Sequence, residues 1–173
     1  MVNVAEPAAA PVVLIGPMGA GKSTVGKRVA RRLGVPFTDT DRVIVREHGP
    51  IPAIFAGRGE PAFRQLEAEA VRKALATGGV IAVGGGAVTH AATRDALTGA
   101  RIVLLTVSPE AVAERINGSD RPLLASGGID AWQTIMDERA ATYAALAHTV
   151  VDTSRRPMSH VVDDVLRWLQ SAH

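Results

Sequence analysis

The chain has 173 residues, 47% of them hydrophobic, and contains no cysteine. This length predicts one domain with its own core, and the lack of cysteine excludes disulfides and thiolate chemistry. The formal charge of +2 is too small for a nucleic-acid footprint. No apolar run is long enough to span a bilayer, and residues 1–11 lack the pattern of a signal peptide. We therefore expect a cytoplasmic protein without membrane or nucleic-acid partners.

A glycine-rich segment, Gly16–Ser23, fits the spacing G-x-x-x-x-G-K-[ST] of a phosphate-binding loop. The apolar run Val12–Ile15 precedes it as a buried strand, and Thr24–Leu33 follows it with helical spacing, which is the context that the motif requires. Backbone N–H groups of such a loop point at phosphate oxygens. Lys22 would reach the β- and γ-phosphates, and the hydroxyl of Ser23 would bind the Mg²⁺ that bridges them. The segment therefore predicts a nucleoside triphosphate site.

A short second strand, Val35–Phe37, runs into Asp39 and Asp41, so that two carboxylates emerge at the carboxyl end of a strand. Ligands bind at that end of an open parallel sheet, which favours a functional role. The alternative is an Asx turn that caps a helix over Arg42–His48, and these residues alone leave both open. The phosphate-binding loop nearby favours function.

Two helices are predicted next, a short one over Pro50–Ala56 and a longer one over Glu60–Ala76, with Gly59 between them. Phe63 lies on the apolar side of the longer helix. Arg64 follows it directly and is therefore expected to point away from that side. By itself Arg64 is predicted to be a surface arginine, since nothing local makes it a ligand.

The third strand, Val80–Val83, ends in three successive glycines, Gly84, Gly85 and Gly86. Such a run costs conformational entropy on folding, so close approach of a ligand to their N–H groups is one interpretation. A flexible hinge is the alternative. A helix is then predicted over Ala91–Leu97.

The fourth strand, Arg101–Val107, is an apolar run typical of a strand covered on both faces, and the helix after it ends near Arg115. The segment Asn117–Gly128 is polar and flanked by glycines around Arg121. This composition predicts a mobile lid that carries one charged residue, with an ordinary surface loop as the alternative.

The last third of the chain is predicted as helix, strand and helix. The helix Ile129–Ala147 contains Arg139, the fifth strand is Thr149–Asp152, and apolar residues from Val161 to Leu169 mark a final amphipathic helix. Strands and helices alternate throughout, which predicts a three-layer α/β domain with a parallel sheet. The five histidines form no i, i+4 pair and predict no zinc site.

From about residue 12 to residue 169, the chain resembles the shikimate kinase family in an ordered set of motifs. These are the phosphate-binding loop, Asp39-Thr40-Asp41, Phe63-Arg64, the glycine triplet, Arg121-Pro122-Leu123-Leu124 and Arg139. The resemblance implies a P-loop kinase fold like that of the nucleoside monophosphate kinases, with a five-stranded parallel sheet of order 2-3-1-4-5. It implies a single kinase domain over 1–173, with a core over about 12–170, a lid over about 117–128 and a substrate-binding region over about 38–66.

The same resemblance implies transfer of the γ-phosphate of ATP to the 3-hydroxyl of shikimate in aromatic amino-acid biosynthesis, with Mg²⁺ as cofactor, by a monomer. The implied catalytic residues are Lys22, Asp41 and Arg121. Asp41 would hold the shikimate hydroxyls and orient or deprotonate the attacking one, and Ser23 and Asp39 would hold Mg²⁺. Shikimate would bind to Asp41, Arg64, Gly84, Gly85, Gly86 and Arg139, with both arginines on its carboxylate. ATP would bind to Gly19, Ala20, Gly21, Lys22, Ser23, Thr24, Arg115, Arg121 and Arg156.

Two alternatives remain open. The first is another kinase of this fold, for gluconate or a nucleoside monophosphate, because gluconate also offers a carboxylate to the arginines. The second is a non-catalytic ATP-binding module. The set Lys22, Ser23, Asp39 and Arg121 argues against the module, because binding alone does not need charges that act in the transition state.

Overall fold

The computed structural model describes residues 9–116 and 127–171. The lid predicted over 117–128 therefore lies almost entirely outside the described residues, and so does Arg121. Five strands form one sheet: β1 Val12–Ile15, β2 Phe37–Asp39, β3 Val80–Ala82, β4 Arg101–Thr106 and β5 Thr149–Asp152. Their spatial order is β2-β3-β1-β4-β5, and each neighbouring pair is parallel. The predicted sheet and strand order are confirmed.

Helices connect the strands. They are α1 Lys22–Leu33, α2 Thr40–His48, α3 Ile51–Thr77, α4 Ala91–Ala96, α5 Pro109–Ile116, α6 Gly128–Leu146 and α7 Met158–Ser171, with a 3₁₀ turn at Ala87–Thr89. The two helices predicted after His48 form α3, whose backbone breaks at Gly59 with φ 79° and ψ 168°. α1 and α2 each begin two residues earlier than predicted, at Lys22 and Thr40, and β2 lies two residues later than predicted, at Phe37–Asp39.

The strands carry apolar side chains on both faces of the sheet, as expected for buried parallel strands. On one face Val12 and Leu14 pack with apolar residues of α1, α5 and α7. On the other face Val13 and Ile15 pack with α3 and α6, including the buried Tyr143. This period-two alternation explains why β1 reads as a continuous apolar run.

The parallel arrangement brings the carboxyl ends of all five strands to one edge of the sheet. β1 lies at the centre of that edge, between β3 and β4. The chain passes from β1 to β2 on one side of it, and the connection from β3 passes to β4 on the other. Ligands of open α/β sheets bind in the crevice at such a switch point. Gly16 leaves β1 there with φ +140°, and a Cβ at this position would lie 2.2 Å from the carbonyl oxygen of Leu105. The phosphate-binding loop therefore begins tightly packed on β4.

Among the residues that the structure describes, no helix has both the length and the apolar character needed to cross a bilayer.

Candidate active site

The phosphate-binding loop curls from β1 into α1. Gly21 directly precedes the helix in a left-handed conformation, with φ 90° and ψ 23°. The Lys22 ammonium group lies back over the loop and donates hydrogen bonds to the carbonyl oxygens of Gly16 at 2.7 Å and Pro17 at 3.0 Å. The lysine charge is thus held inside the curve where phosphate oxygens would bind.

Asp39 serves as a helix cap and also faces the phosphate-binding loop. Its Oδ1 accepts hydrogen bonds from the backbone N–H groups of Asp41 at 3.0 Å and Arg42 at 3.2 Å. Its Oδ2 accepts a hydrogen bond from the hydroxyl of Ser23. The helix-cap interpretation is therefore confirmed for Oδ1. A functional role for Oδ2, which faces Ser23, stays a prediction.

The Ser23 and Asp39 oxygens fit a Mg²⁺ ion, which takes hard oxygen ligands and keeps several waters. In the part of the chain that the structure describes, no group of three or more His, Cys, Asp or Glu side chains could hold a metal by itself. A metal at this position would therefore complete its coordination with water and phosphate oxygens, as is usual at phosphoryl-transfer sites.

Asp41 lies two residues after Asp39, in the first turn of α2. Burial raises the pKa of its carboxyl group above the ordinary range, and the neighbouring Asp39 raises it further. Lys22 and Arg64 act in the opposite direction, but the net pKa remains raised. Asp41 is thus a carboxylate with increased affinity for a proton, which suits a residue that receives one from a hydroxyl.

Arg64 is not the surface residue that its position after Phe63 predicts. Its side chain is only 12% exposed, and its Nη1 donates a 2.7 Å hydrogen bond to the carboxylate of Glu67, which is 1% exposed. A second, weaker pair joins Arg64 to the exposed Glu60 at 3.2 Å. The guanidinium carbon also lies 5.3 Å from the centre of the Phe63 ring. The prediction fails because apolar periodicity does not register a buried ion pair.

Glu67 is the buried residue that the sequence analysis missed. Burial raises the pKa of its carboxyl group, and Arg64 acts against that rise. A glutamate three residues after an arginine is an ordinary helix-surface pair in sequence. The signal that could have found it is its spacing, four residues after Phe63 and three before Ala70, which places a glutamate on the apolar side of α3.

The glycine triplet lies against these charged side chains. A Cβ on Gly84 would lie 2.6 Å from Glu67 Oε2 and 2.8 Å from Asp41 Oδ1. A Cβ on Gly86 would lie 2.4 Å from Arg64 Nη2. Glycines at these positions therefore leave room for the protein's own charged side chains. This role differs from the flexible hinge and from the close approach of a ligand, the two interpretations that the sequence offers.

The helix α6 closes the other side of the site. The Tyr143 hydroxyl donates a 2.5 Å hydrogen bond to the Gly85 carbonyl oxygen, and the Trp132 indole N–H donates one of 2.9 Å to Met18. Arg139 Nη1 lies 3.4 Å from the position that a Cβ on Gly85 would occupy. One helix thus contacts both the phosphate-binding loop and the glycine triplet.

A cavity of about 310 Å³ lies between α3, α6 and the phosphate-binding loop. Arg64, Arg139, Glu60 and Tyr143 supply its polar wall. Its apolar lining consists of Pro17, Met18, Phe55, Trp132, Ile135 and Met136. A second cavity, of about 390 Å³, lies on the outer side of β2 and contains neither of these arginines. The smaller cavity therefore has the chemistry to hold a small carboxylate beside a triphosphate.

Two arginines predicted to contact the nucleotide outside the loop, Arg115 and Arg156, have different surroundings. Arg115 donates a 2.7 Å hydrogen bond to the Gly19 carbonyl oxygen, so it contacts the phosphate-binding loop itself. Arg156 pairs with Asp164 of α7 on the protein surface. The start of α7 does reach the loop, because a Cβ on Gly21 would lie 3.0 Å from Cε of Met158, the first residue of that helix. A nucleotide contact by Arg156 stays a prediction.

Comparisons with known proteins agree with this arrangement. A family model described as "SKI: Shikimate kinase" matches residues 18–170. The shikimate kinase of Streptomyces coelicolor is 46% identical over 158 residues, which cover 90% of this chain and 92% of that protein. The shikimate kinase of Mycobacterium avium is 45% identical over 154 residues, covering 87% and 88% of the two chains.

Solved structures give the same result. The structure of shikimate kinase from Acinetobacter baumannii in complex with shikimate superposes with a TM-score of 0.88 and 32% identity, covering 94% of each chain. Shikimate kinase from Aquifex aeolicus gives a TM-score of 0.79 and 33% identity, over 92% of this chain and 96% of that one. On the family model, the relatives and the shared fold together, this chain belongs to the shikimate kinase family.

Proposed function

We propose that this chain transfers the γ-phosphate of ATP to the 3-hydroxyl of shikimate, giving shikimate 3-phosphate and ADP. The observation that carries the proposal is the convergence of Arg64 and Arg139 on one cavity beside the phosphate-binding loop. The shikimate kinase of Acinetobacter baumannii, which has the same fold as this chain, was solved in complex with shikimate. Relatives named as shikimate kinases do not favour the gluconate and nucleoside monophosphate alternatives.

Substrate binding rests on the two arginines. Guanidinium groups hold a carboxylate through paired, charge-assisted hydrogen bonds. Oε1 of Glu67 accepts a 2.7 Å hydrogen bond from Nη1 of Arg64, and this bond keeps the guanidinium next to the glycine triplet. Because Arg64 comes from α3 and Arg139 from α6, a carboxylate held by both would fix the orientation of the ring that carries it.

Asp41 would accept the proton of the attacking shikimate hydroxyl while the oxygen of that hydroxyl forms a bond to the γ-phosphorus. The bond between that phosphorus and the oxygen bridging to the β-phosphate breaks, and ADP leaves. Lys22 would stabilise the negative charge on the transferred group, and its present hydrogen bonds to Gly16 and Pro17 hold it in the loop beforehand. Arg121 would contribute a further positive charge from the lid.

Ser23 and Asp39 would hold Mg²⁺. When bound, the ion offsets charge on the β- and γ-phosphates. The phosphates of the nucleotide would contact the loop residues Gly19 to Thr24. Its adenine base would lie next to Arg115 and Arg156. We also propose that the enzyme acts as a monomer, the state that the family resemblance implies, and that it works in the cytoplasm.

The test is release of ADP from ATP and Mg²⁺ with shikimate, gluconate, a nucleoside monophosphate or no acceptor. Rapid turnover is expected with shikimate alone. Turnover with gluconate but not with shikimate would overturn the acceptor while retaining the phosphate chemistry. Binding of ATP with no turnover on any acceptor would support a non-catalytic module instead.

A further inference from the structure

Thr153 is a fully buried polar residue at the carboxyl end of β5, outside the set of residues discussed for catalysis. Its Oγ1 lies 2.8 Å from the Ala20 carbonyl oxygen and 3.0 Å from that of Thr106. It also accepts a 3.2 Å hydrogen bond from Nη1 of Arg115. A hydroxyl has one proton and two lone pairs. Because the Thr106 carbonyl oxygen already accepts the backbone N–H of Thr153 at 2.8 Å, we assign the hydroxyl proton to the Ala20 carbonyl oxygen, and the hydroxyl links α5 to the phosphate-binding loop.

Arg115 contacts the same part of the loop from a second direction. Its Nη1 donates to the Gly19 carbonyl oxygen at 2.7 Å, and its Nη2 donates to the backbone carbonyl of Thr153. Two successive loop carbonyls, those of Gly19 and Ala20, are therefore held from the outside. The two residues that hold them are also hydrogen-bonded to each other.

These carbonyls determine where the loop's N–H groups point. A trans peptide is planar, and its C=O and N–H point in opposite directions. Holding the Gly19 carbonyl fixes the N–H of Ala20, which donates to the Pro17 carbonyl oxygen at 3.2 Å within the loop. Holding the Ala20 carbonyl fixes the N–H of Gly21. N–H groups of this loop are the ones that would meet phosphate oxygens. Preorganised donors bind an anion more tightly than donors that must first reorient.

We propose that Thr153 is a positioning residue for the nucleotide phosphates, acting with Arg115 to hold the loop so that the N–H group of Gly21 is oriented for a phosphate oxygen. The proposal rests on the proposed function only in taking a nucleotide as the ligand. It also gives Arg115 a role in ATP binding that needs no contact with the base. Neither Thr153 nor Arg115 lines the cavity that contains Arg64 and Arg139, so we expect their effect to be confined to the nucleotide.

The first test compares Thr153→Val, which has nearly the same shape without the hydroxyl, with Thr153→Ser, which keeps it. We expect Thr153→Val to raise the Kd for Mg·ADP and the KM for ATP about tenfold, the effect of losing a buried hydrogen bond. The KM for shikimate should stay within about twofold. Thr153→Ser should restore most of the nucleotide affinity. Unchanged Mg·ADP affinity in Thr153→Val would overturn the proposal.

The matched control is Thr106→Val, which removes a threonine hydroxyl at the same end of the sheet. That hydroxyl donates to Asp152 at 3.1 Å rather than to the phosphate-binding loop. Its removal should leave Mg·ADP affinity unchanged. A tenfold loss in this control as well would refute a specific role for Thr153.

A second measurement separates positioning from folding. If Thr153 only stabilises the fold, Thr153→Val lowers the Tm of the ligand-free protein but leaves the Tm increases caused by Mg·ADP and by shikimate equal to those of wild type. If Thr153 orients the loop, the increase with Mg·ADP shrinks and that with shikimate does not. Both readouts are independent of turnover, so a failure of the proposed acceptor would not alter them.

Discussion

Arg64 and Glu67 form a 2.7 Å ion pair in which the carboxylate is almost completely buried. The pair aligns the guanidinium with the glycine triplet and leaves part of its donor fork available to the cavity. A buried pair of this kind is weak evidence for stability, because desolvation offsets the attraction. Its clearer consequence is positional, since it gives a long, flexible side chain one orientation.

Replacing Arg64 with alanine should raise the KM for shikimate at least about 30-fold, the scale of a lost charge-assisted carboxylate contact. The KM for ATP should change little, because Arg64 lies on α3 and not on the phosphate-binding loop. Steady-state kinetics with each substrate varied in turn measure both. A KM for shikimate equal to that of wild type would remove Arg64 from the carboxylate site.

The two glutamates beside Arg64 offer a matched comparison. Glu67→Gln should raise the KM for shikimate, because the guanidinium loses its buried charged partner at 2.7 Å. Glu60→Gln should leave that KM unchanged or lower it, because the pair of the 62% exposed Glu60 with Arg64 is screened by water and its negative charge faces the cavity that would hold the carboxylate. Equal effects of the two substitutions would contradict the positioning role given to Glu67.

Asp41→Asn should lower kcat by at least about 100-fold if Asp41 accepts the hydroxyl proton, a typical size for general-base loss. For wild type, kcat/KM for shikimate should fall as the pH decreases through the raised pKa of Asp41 in the free enzyme, because the protonated carboxyl cannot act as a base. This acidic limb should be absent from the residual activity of Asp41→Asn. A wild-type kcat in the variant would exclude the role.

The same raised pKa determines the sign of a stability effect. Between the ordinary carboxyl pKa and the raised folded value, the native state binds more protons than the unfolded state. The contribution of Asp41 to stability therefore falls as the pH rises through this interval and then stays constant. Asp41→Asn should consequently be at least as stable as wild type at pH 7 by urea denaturation. Marked destabilisation at that pH would contradict the net effect of burial.

Gly86→Ala should raise the KM for shikimate and lower the Tm, because the new methyl group would lie 2.4 Å from Arg64 Nη2 and displace the guanidinium. Gly57→Ala is the control. No atom lies within 4 Å of a Cβ there, and the glycine is exposed in a helix, so alanine should be neutral or slightly stabilising. An unaffected shikimate KM in Gly86→Ala would mean that Arg64 relocates without cost.

The phosphate-binding loop and the individual strands were predictable because their sequence signals are local. The loop depends on a contiguous spacing, and the sheet order followed from the family resemblance and is confirmed by the strand pairing. Arg64 was predicted to be exposed and is not, because its burial depends on Glu67 and on the space left by Gly86. Thr153 gave no signal at all, since its partners lie 38, 47 and 133 residues away.

The side chains of α6 give the most discriminating pair of substitutions. Tyr143→Phe removes the hydrogen bond to Gly85, and Trp132→Phe removes the one to Met18. Each should lower stability by roughly 1 kcal/mol or more, because a buried carbonyl loses its donor. Their kinetic effects should differ. Tyr143→Phe disturbs the glycine triplet and should raise mainly the KM for shikimate, whereas Trp132→Phe disturbs the phosphate-binding loop and should raise mainly the KM for ATP. If both variants raise the same KM, α6 acts as one rigid element rather than through two separate contacts.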